Sequence, residues 1–291
     1  VSTTVDIAFA RQFDENVVQL AQQMGSRLRG TVRIKEGSGA SATYFDRLAS
    51  ASMAARSARH QPTYIGDIVH SRRRSTPTSY ERGELIDEED EIRTLINPQS
   101  EYASALAAAA NRQIDDIIIT ALGGNADSID NGLAASTVAL GSGQKIAASV
   151  GLTTGLNINK LTAAKKLLDG ADVPEDERYL VVGAAQLQDA LNTSQITSVD
   201  YAAVKALVAG QVDTFLGFKW IRSERLSKPT TDRLCYAFQK NAVGLTIAKD
   251  IYTSIDKRAD LSNSLQVLVK LTMGAVRIEE ARVVEISCTE T

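Results

Sequence analysis

Between Phe9 and Leu28 the apolar residues Phe13, Val17, Leu20, Ala21, Met24 and Leu28 recur at helical spacing and share one face. The pattern predicts an amphipathic N-terminal helix, weakened in its last turn by Gly25. Gly30 to Glu36 then alternates Val32 and Ile34 with Arg33 and Lys35, the signature of a short two-faced strand, closed by Gly37-Ser38-Gly39. The sharpest boundary signals frame a single long helix: Asn97 as N-cap, Pro98 in the first turn and Gly123-Gly124 as the stop. About 25 residues rising about 1.5 Å each make a rod of about 37 Å, with Leu106, Ala110, Ile114, Ile117, Ile118 and Leu122 along one side. Its run Ala107 to Ala110 either admits a close-packed neighbour or reflects helix propensity alone. On the first reading, Asp at Ala109 is expected to cost several kcal/mol by burying an unpaired charge.

Farther along, Asn125 to Ser149 is rich in Gly, Ser and Asp and reads as a connector. Asn159 is placed as the cap of a second helix that runs through Leu168 and stops at Gly170. A strand is expected at Arg178 to Val182, helices at Ala184 to Leu191 and Tyr201 to Ala209, and strands around Phe218-Trp220 and Leu234-Tyr236-Phe238. Leu265, Val267, Val269, Leu271 and Met273 alternate with Gln266, Lys270 and Thr272, and Val276, Ile278, Val283 and Ile286 extend the pattern. The C-terminal region therefore reads as antiparallel β, and the whole as α+β. No repeat at solenoid or propeller period is present.

One segment breaks the pattern. Ala40 to Thr78 is rich in Ser, Ala and Arg, has few large apolar residues, and carries Arg72-Arg73-Arg74. Such a composition buries little core of its own, which leaves a surface loop or an arm that orders against another chain. Directly after it the charge inverts, with Glu81, Glu84, Asp87, Glu88, Glu89, Asp90 and Glu91 close together. This is either a solvated face or a partner for the basic run of a neighbouring copy. On the second reading, reversing Arg73 to Glu reduces assembly without unfolding the subunit.

The chain of 291 residues balances 32 Lys and Arg against 35 Asp and Glu, a net charge of −3, which excludes a basic DNA-coating protein. Hydrophobic residues make up 44% and charged residues 23%, and no apolar run approaches membrane-spanning length. Val1 to Ala10 contains Asp6 and lacks the basic start and apolar core of a secretory signal. Two cysteines, Cys235 and Cys288, and two histidines, His60 and His70, offer neither a disulfide framework nor a cysteine-only zinc site. Asn125, Asp127 and Asp130 hint at a calcium loop, but the third alternate position falls on Ile129. Asn159-Lys160 replaces the Gly-Lys-Ser/Thr of a phosphate loop. Both histidines sit in the low-core segment, unsuited to a rigid triad, and Glu88 to Glu91 are too close in sequence to face one another across a substrate. The cysteines, in apolar surroundings, read as buried thiols. Arg72 to Arg74 have no interleaved aromatic platform for nucleic acid. No metal, cofactor or catalytic constellation is expected.

The order of these pieces resembles a tailed-bacteriophage major capsid protein of the Hong Kong 97 type. The resemblance rests on Ile96-Asn97-Pro98 with Tyr102, on Ala107 to Ala121 with Arg112 and Asp115-Asp116, and on Leu122-Gly123-Gly124. It continues through Leu167-Leu168-Asp169, Val173-Pro174, Arg178 to Val182, Gly217-Phe218, Asn241 to Leu245 and Gly274 to Arg277. It implies an N-terminal arm at 1–39, an extended loop at 40–79, and a peripheral domain at 80–149 and 241–291 with a spine helix at 98–122. An axial domain at 150–240 completes it. It further implies hexamers and pentamers of the chain itself enclosing double-stranded DNA, a scaffolding protein and portal, a decoration protein in some members, and no membrane. The subunit would assemble in the host cytoplasm and reside in the virion capsid. Some members crosslink neighbours through a lysine and an asparagine with a glutamate catalyst; no such trio can be placed here, so neither crosslink nor enzyme activity is expected. Two other readings remain open: the shell of an encapsulin-type nanocompartment, which shares the fold, and a carboxylate-dependent hydrolase.

Overall fold

The computed structural model describes residues 22–37, 41–86, 99–130, 136–151, 154–192 and 214–290. The strands in chain order are β1 (Arg33–Glu36), β2 (Thr43–Leu48), β3 (His70–Ser75), β4 (Thr78–Ile86), β5 (Ala126–Asp130), β6 (Ser136–Val138) and β7 (Lys145–Ile146). They continue with β8 (Arg178–Val182), β9 (Thr214–Phe215), β10 (Phe218–Arg222), β11 (Asp232–Gln239), β12 (Val243–Arg258), β13 (Ser264–Arg277) and β14 (Val283–Thr289). The helices are α1 (Gln99–Gly123), α2 (Ile158–Gly170) and α3 (Ala184–Asn192). The chain divides into two compact units. One comprises Val1–Ser26, Ser79–Gln113 and Lys249–Leu271, the other Arg27–Thr78, Ile114–Ala248 and Thr272–Thr291.

In the first unit the outer stretch of β13 lies between β12 and β4. Lys270 bridges to Glu81 at 3.1 Å, and Arg258 ties β12 to Gln266 of β13 at 2.8 Å. The first half of α1 buries Leu106, Ala108 and Ala110, while Ala107 and Ala109 are half-exposed. Within the alanine run, burial falls on Ala108 and Ala110. Ala109 is the wrong place to test it.

The second unit is built on a six-stranded sheet of order β7-β14-β11-β8-β10-β9. Its middle strand β8, Arg-Tyr-Leu-Val-Val, is buried at every residue, as expected of an apolar run flanked by strands on both sides. α2 packs on β14 and buries Leu161, Ala164 and Leu168, one helical face; each leucine contributes about 1.5–3 kcal/mol on burial. Its cap is Asn157, whose side chain accepts from the Lys160 amide at 2.9 Å, so Asn159 lies inside the first turn. The second half of α1 supplies Ile114, Ile118 and Leu122. Buried Asp115 accepts from the Arg27 and Leu28 amides, both at 3.1 Å, and so holds the chain leading into β1. β1 then pairs in parallel with Gly244 to Ile247 of β12.

α1 ends at Gly123, where the Gly-Gly pair predicted it; the Tyr236 hydroxyl occupies the space a Cβ at Gly123 would need. Three expectations change. Residues 22–28 are irregular, so the described part of the Phe9 to Leu28 segment is not helical. Asn125 to Ser149 is no simple connector but holds β5, β6 and β7. The last strand is antiparallel to β11 but parallel to β7, so the C-terminal region is mixed. The Tyr201 to Ala209 helix and the caps Asn97 and Pro98 lie outside the described residues.

Candidate assembly surface

β2 and β3 form an antiparallel pair in which Phe45 faces Arg73, Asp46 faces Arg72 and Tyr44 faces Arg74. β3 continues the four-stranded sheet β2-β3-β5-β6. Strand alternation sends Phe45 and Arg73 to the inner face and Asp46 and Arg72 to the outer. Phe45 clusters with Ala126, Val276 and Ile278, and its ring fills the space beside Gly244 where any Cβ would collide. A part of the segment judged too polar to bury core therefore does so, because β5 and β13 provide the apolar partners.

Beside this cluster lies an arginine network. Arg73, 2% exposed, donates to Glu280 at 2.7 Å and to the Ile278 carbonyl at 3.4 Å. Arg47 reaches the same carbonyl at 2.9 Å and Glu280 at 3.5 Å. Arg277, fully buried, donates to the Leu122, Gly124 and Val138 carbonyls and lies 3.8 Å from Glu280. It caps the carbonyls at the end of α1, which point outward with partial negative charge. Burial lowers the pKa of Arg277, opposed by Glu280. Arg74 pairs with Asp127 at 2.9 Å, which raises the Arg74 pKa and gives Asp127 a role other than a calcium ligand. Arg72 pairs with Asp46 at 2.7 Å on the exposed outer face.

All three residues of the basic run thus find acidic partners within their own chain, while Asp87, Glu88, Glu89, Asp90 and Glu91 lie outside the described residues. Arg73 is no surface probe: reversing it places a carboxylate against Glu280 at a buried position, and loss of subunit stability is expected before any effect on assembly. Arg72 is the most exposed of the three and Arg74 is half-exposed, so these two keep the exposure that a contact with a neighbour requires. The Arg72–Asp46 pair borders a cleft of about 300 Å³ shared with Lys35, Glu36, Gly37 and Tyr44.

From this root the chain leaves the sheet. The Ala49 amide donates to the Val69 carbonyl at 3.0 Å and closes the neck. Beyond it every residue from Leu48 to His70 is exposed, including Met53 at 101%, Tyr64 at 65% and Ile65 at 87%. Its internal order is a small turn in which Gln61 accepts from Ser57 and Ala58. The arrangement offers exposed apolar side chains to a partner. Among the described residues no group of three His, Cys, Asp or Glu side chains is placed to hold a metal, and no helix is long and apolar enough to cross a membrane. Glu280 and Arg47 carried no signal in the sequence, Asp127 drew only a calcium reading, and Arg277 stood in one of the motifs that carry the resemblance, without a role.

The sequence model of the family described as phage capsid protein matches residues 5–290. The chain belongs to that family. No curated protein matches it in sequence. Among solved structures it is similar to the capsid chain of cyanophage P-SCSP1u, with a TM-score of 0.76 at 15% identity over 100% of this chain and 96% of that one. Mycobacterium phage Che8 gives 0.72 at 16% identity, covering 96% of each chain. The capsid of cyanophage Pam1 gives 0.72 at 14% identity over 99% and 98%. The fold is the Hong Kong 97 type that the sequence resembles, and this capsid-family chain is a structural subunit of a phage head shell.

Proposed function

We propose that this subunit builds the icosahedral head of a tailed bacteriophage from hexamers and pentamers of itself and encloses packaged double-stranded DNA. The observation that carries the proposal is the stretch Leu48 to His70, exposed throughout while presenting Met53, Tyr64, Ile65, Ile68 and Val69 from a root fixed by buried contacts. A loop of that kind gains a partner when a neighbouring subunit covers it, and many such modest contacts repeated by symmetry stabilise a closed shell. On this reading 1–39 is the arm, 40–79 the extended loop, 80–149 and 241–291 the peripheral domain, and 150–240 the axial domain. Arg72 contributes an exposed charge toward the acidic run Asp87 to Glu91 of a neighbour. A scaffolding protein, portal and decoration protein act with it, and assembly takes place in the host cytoplasm. Contacts with DNA are non-specific, and the subunit catalyses no reaction.

Electron microscopy of the full chain, alone and with its scaffolding protein, tests the proposal. Closed uniform particles whose contents absorb at 260 nm are expected. Particles filled with protein cargo support the nanocompartment instead, and a chain that stays monomeric under both conditions refutes the shell. A mature-particle sample that runs as a ladder of covalent multimers on a denaturing gel contradicts the absence of crosslinking.

A further inference from the structure

Glu290 follows β14, and donors from three separate parts of the chain converge on its carboxylate. Arg233 of β11 donates through Nε to Oε1 and through Nη2 to Oε2, the latter at 3.3 Å. Lys228, in the connection before β11, donates to Oε2 at 2.6 Å, and Gln186 of α3 donates to Oε1 at 3.0 Å. Each oxygen thus takes one donor from the planar fork of the arginine and one from another side chain, the arrangement that recognises a carboxylate. The surroundings are fitted to it. A Cβ at Gly183 would stand 2.6 Å from Gln186 Oε1 and 3.0 Å from Arg233 Cδ, so only glycine lets both side chains take these positions. Gln186 is fully buried and turns its amide nitrogen to Glu290 although its own Oε1 finds no hydrogen-bond partner, a cost that the contact with Glu290 offsets. Glu224, tied to the Ala184 amide, lies 3.2 Å from Arg233 Nη1 and supplies a second negative charge at the rim, which disfavours a dianion such as phosphate. The site opens to solvent there: the Lys228 and Glu224 side chains are 39% and 54% exposed, and Glu290 itself 11%.

We propose that Arg233, Lys228 and Gln186 form a carboxylate-binding site whose resident is the chain's own Glu290, and that the site takes an external carboxylate once Glu290 leaves. A tethered carboxylate competes as if present at about millimolar concentration or more. An acidic side chain of a partner therefore enters only by displacing Glu290, which acts as an internal competitor. The site is drawn from contacts within the chain and does not depend on the shell reading.

The test removes the resident. Glu290→Ala in the full chain is titrated with sodium acetate, and with sodium chloride and sodium phosphate at matched ionic strength, while the thermal midpoint is followed. The variant melts below the parent, and acetate raises its midpoint by about 3 °C or more along a saturating curve. Chloride leaves the midpoint where it was, and phosphate does less than acetate. The parent, its site already filled, shifts by less than about 1 °C in acetate. Glu290→Gln, whose amide occupies the space, gains nothing from acetate, and adding Arg233→Lys to Glu290→Ala abolishes the gain by removing the fork. Where Glu290→Ala does not stay folded on purification, its refolding yield with and without acetate gives the same reading. Acetate that acts equally on parent and variant overturns the proposal. So does acetate that acts no better than chloride on Glu290→Ala, the result expected if Glu224 moves onto Arg233 and closes the site.

Discussion

The root and the tip of one segment behave oppositely. Thr43 to Arg47 and Arg73 to Ser75 place Phe45, Arg73 and Ser75 in the interior, whereas Leu48 to His70 buries nothing. Both mix arginine with a few large apolar side chains, Tyr44 and Phe45 in the root and Met53, Tyr64 and Ile65 in the tip, so composition does not separate them. The root meets Ala126, Val276, Ile278 and Glu280 from its own chain, and the tip meets no comparable surface. Order here follows from available partners, and under the proposed function the tip's partners are supplied by another subunit.

Substitutions at the two places sharpen that contrast. Arg73→Glu has the largest effect: it leaves Glu280 against a like charge in a buried site and costs at least about 3–5 kcal/mol, read as loss of soluble folded subunit or a collapse of the urea midpoint. Phe45→Ala removes a ring that Gly244 was shaped to receive and costs about 3 kcal/mol or more in the same urea titration. Acid comes next. Glu290, held by Arg233, Lys228 and Gln186, has its pKa lowered from 4.5 to about 2. Because the folded value lies below the unfolded one, this stabilisation is complete above pH 4.5 and disappears as pH falls from there toward 2. Glu290→Gln should flatten the loss of stability across that window, and an unchanged pH profile argues against the contact. Ile65→Ser at the tip has the smallest effect on the subunit, within about 0.5 kcal/mol, yet it should reduce particle yield in an assembly assay. Equal yields for the variant and the parent would break the comparison.

Much of the frame was legible before any coordinates. Gly123-Gly124 stopped α1, Gly170 stopped α2, alternation located β11 and β13, and a short apolar run located β8, because these are local rules acting on adjacent residues. The tip was legible too, through its lack of core-forming residues. What escaped was non-local. The pairing of Arg73 with Glu280, more than two hundred positions away, leaves no periodic trace, and the same holds for Arg277 at the end of α1. Asp127 invited a calcium reading only because its partner Arg74 is distant in sequence. The acidic run after Tyr80 drew attention that the lone Glu280 did not.

Leu48 to His70 is exposed in the subunit and, under the proposed function, covered in the shell. Hydrogen–deuterium exchange on the dissociated subunit and on assembled particles measures this directly. Fast exchange from Leu48 to His70 in the subunit, strong protection of the same peptides in particles, and little change at β3 are expected. Equal, fast exchange of these peptides in both states would contradict that coverage.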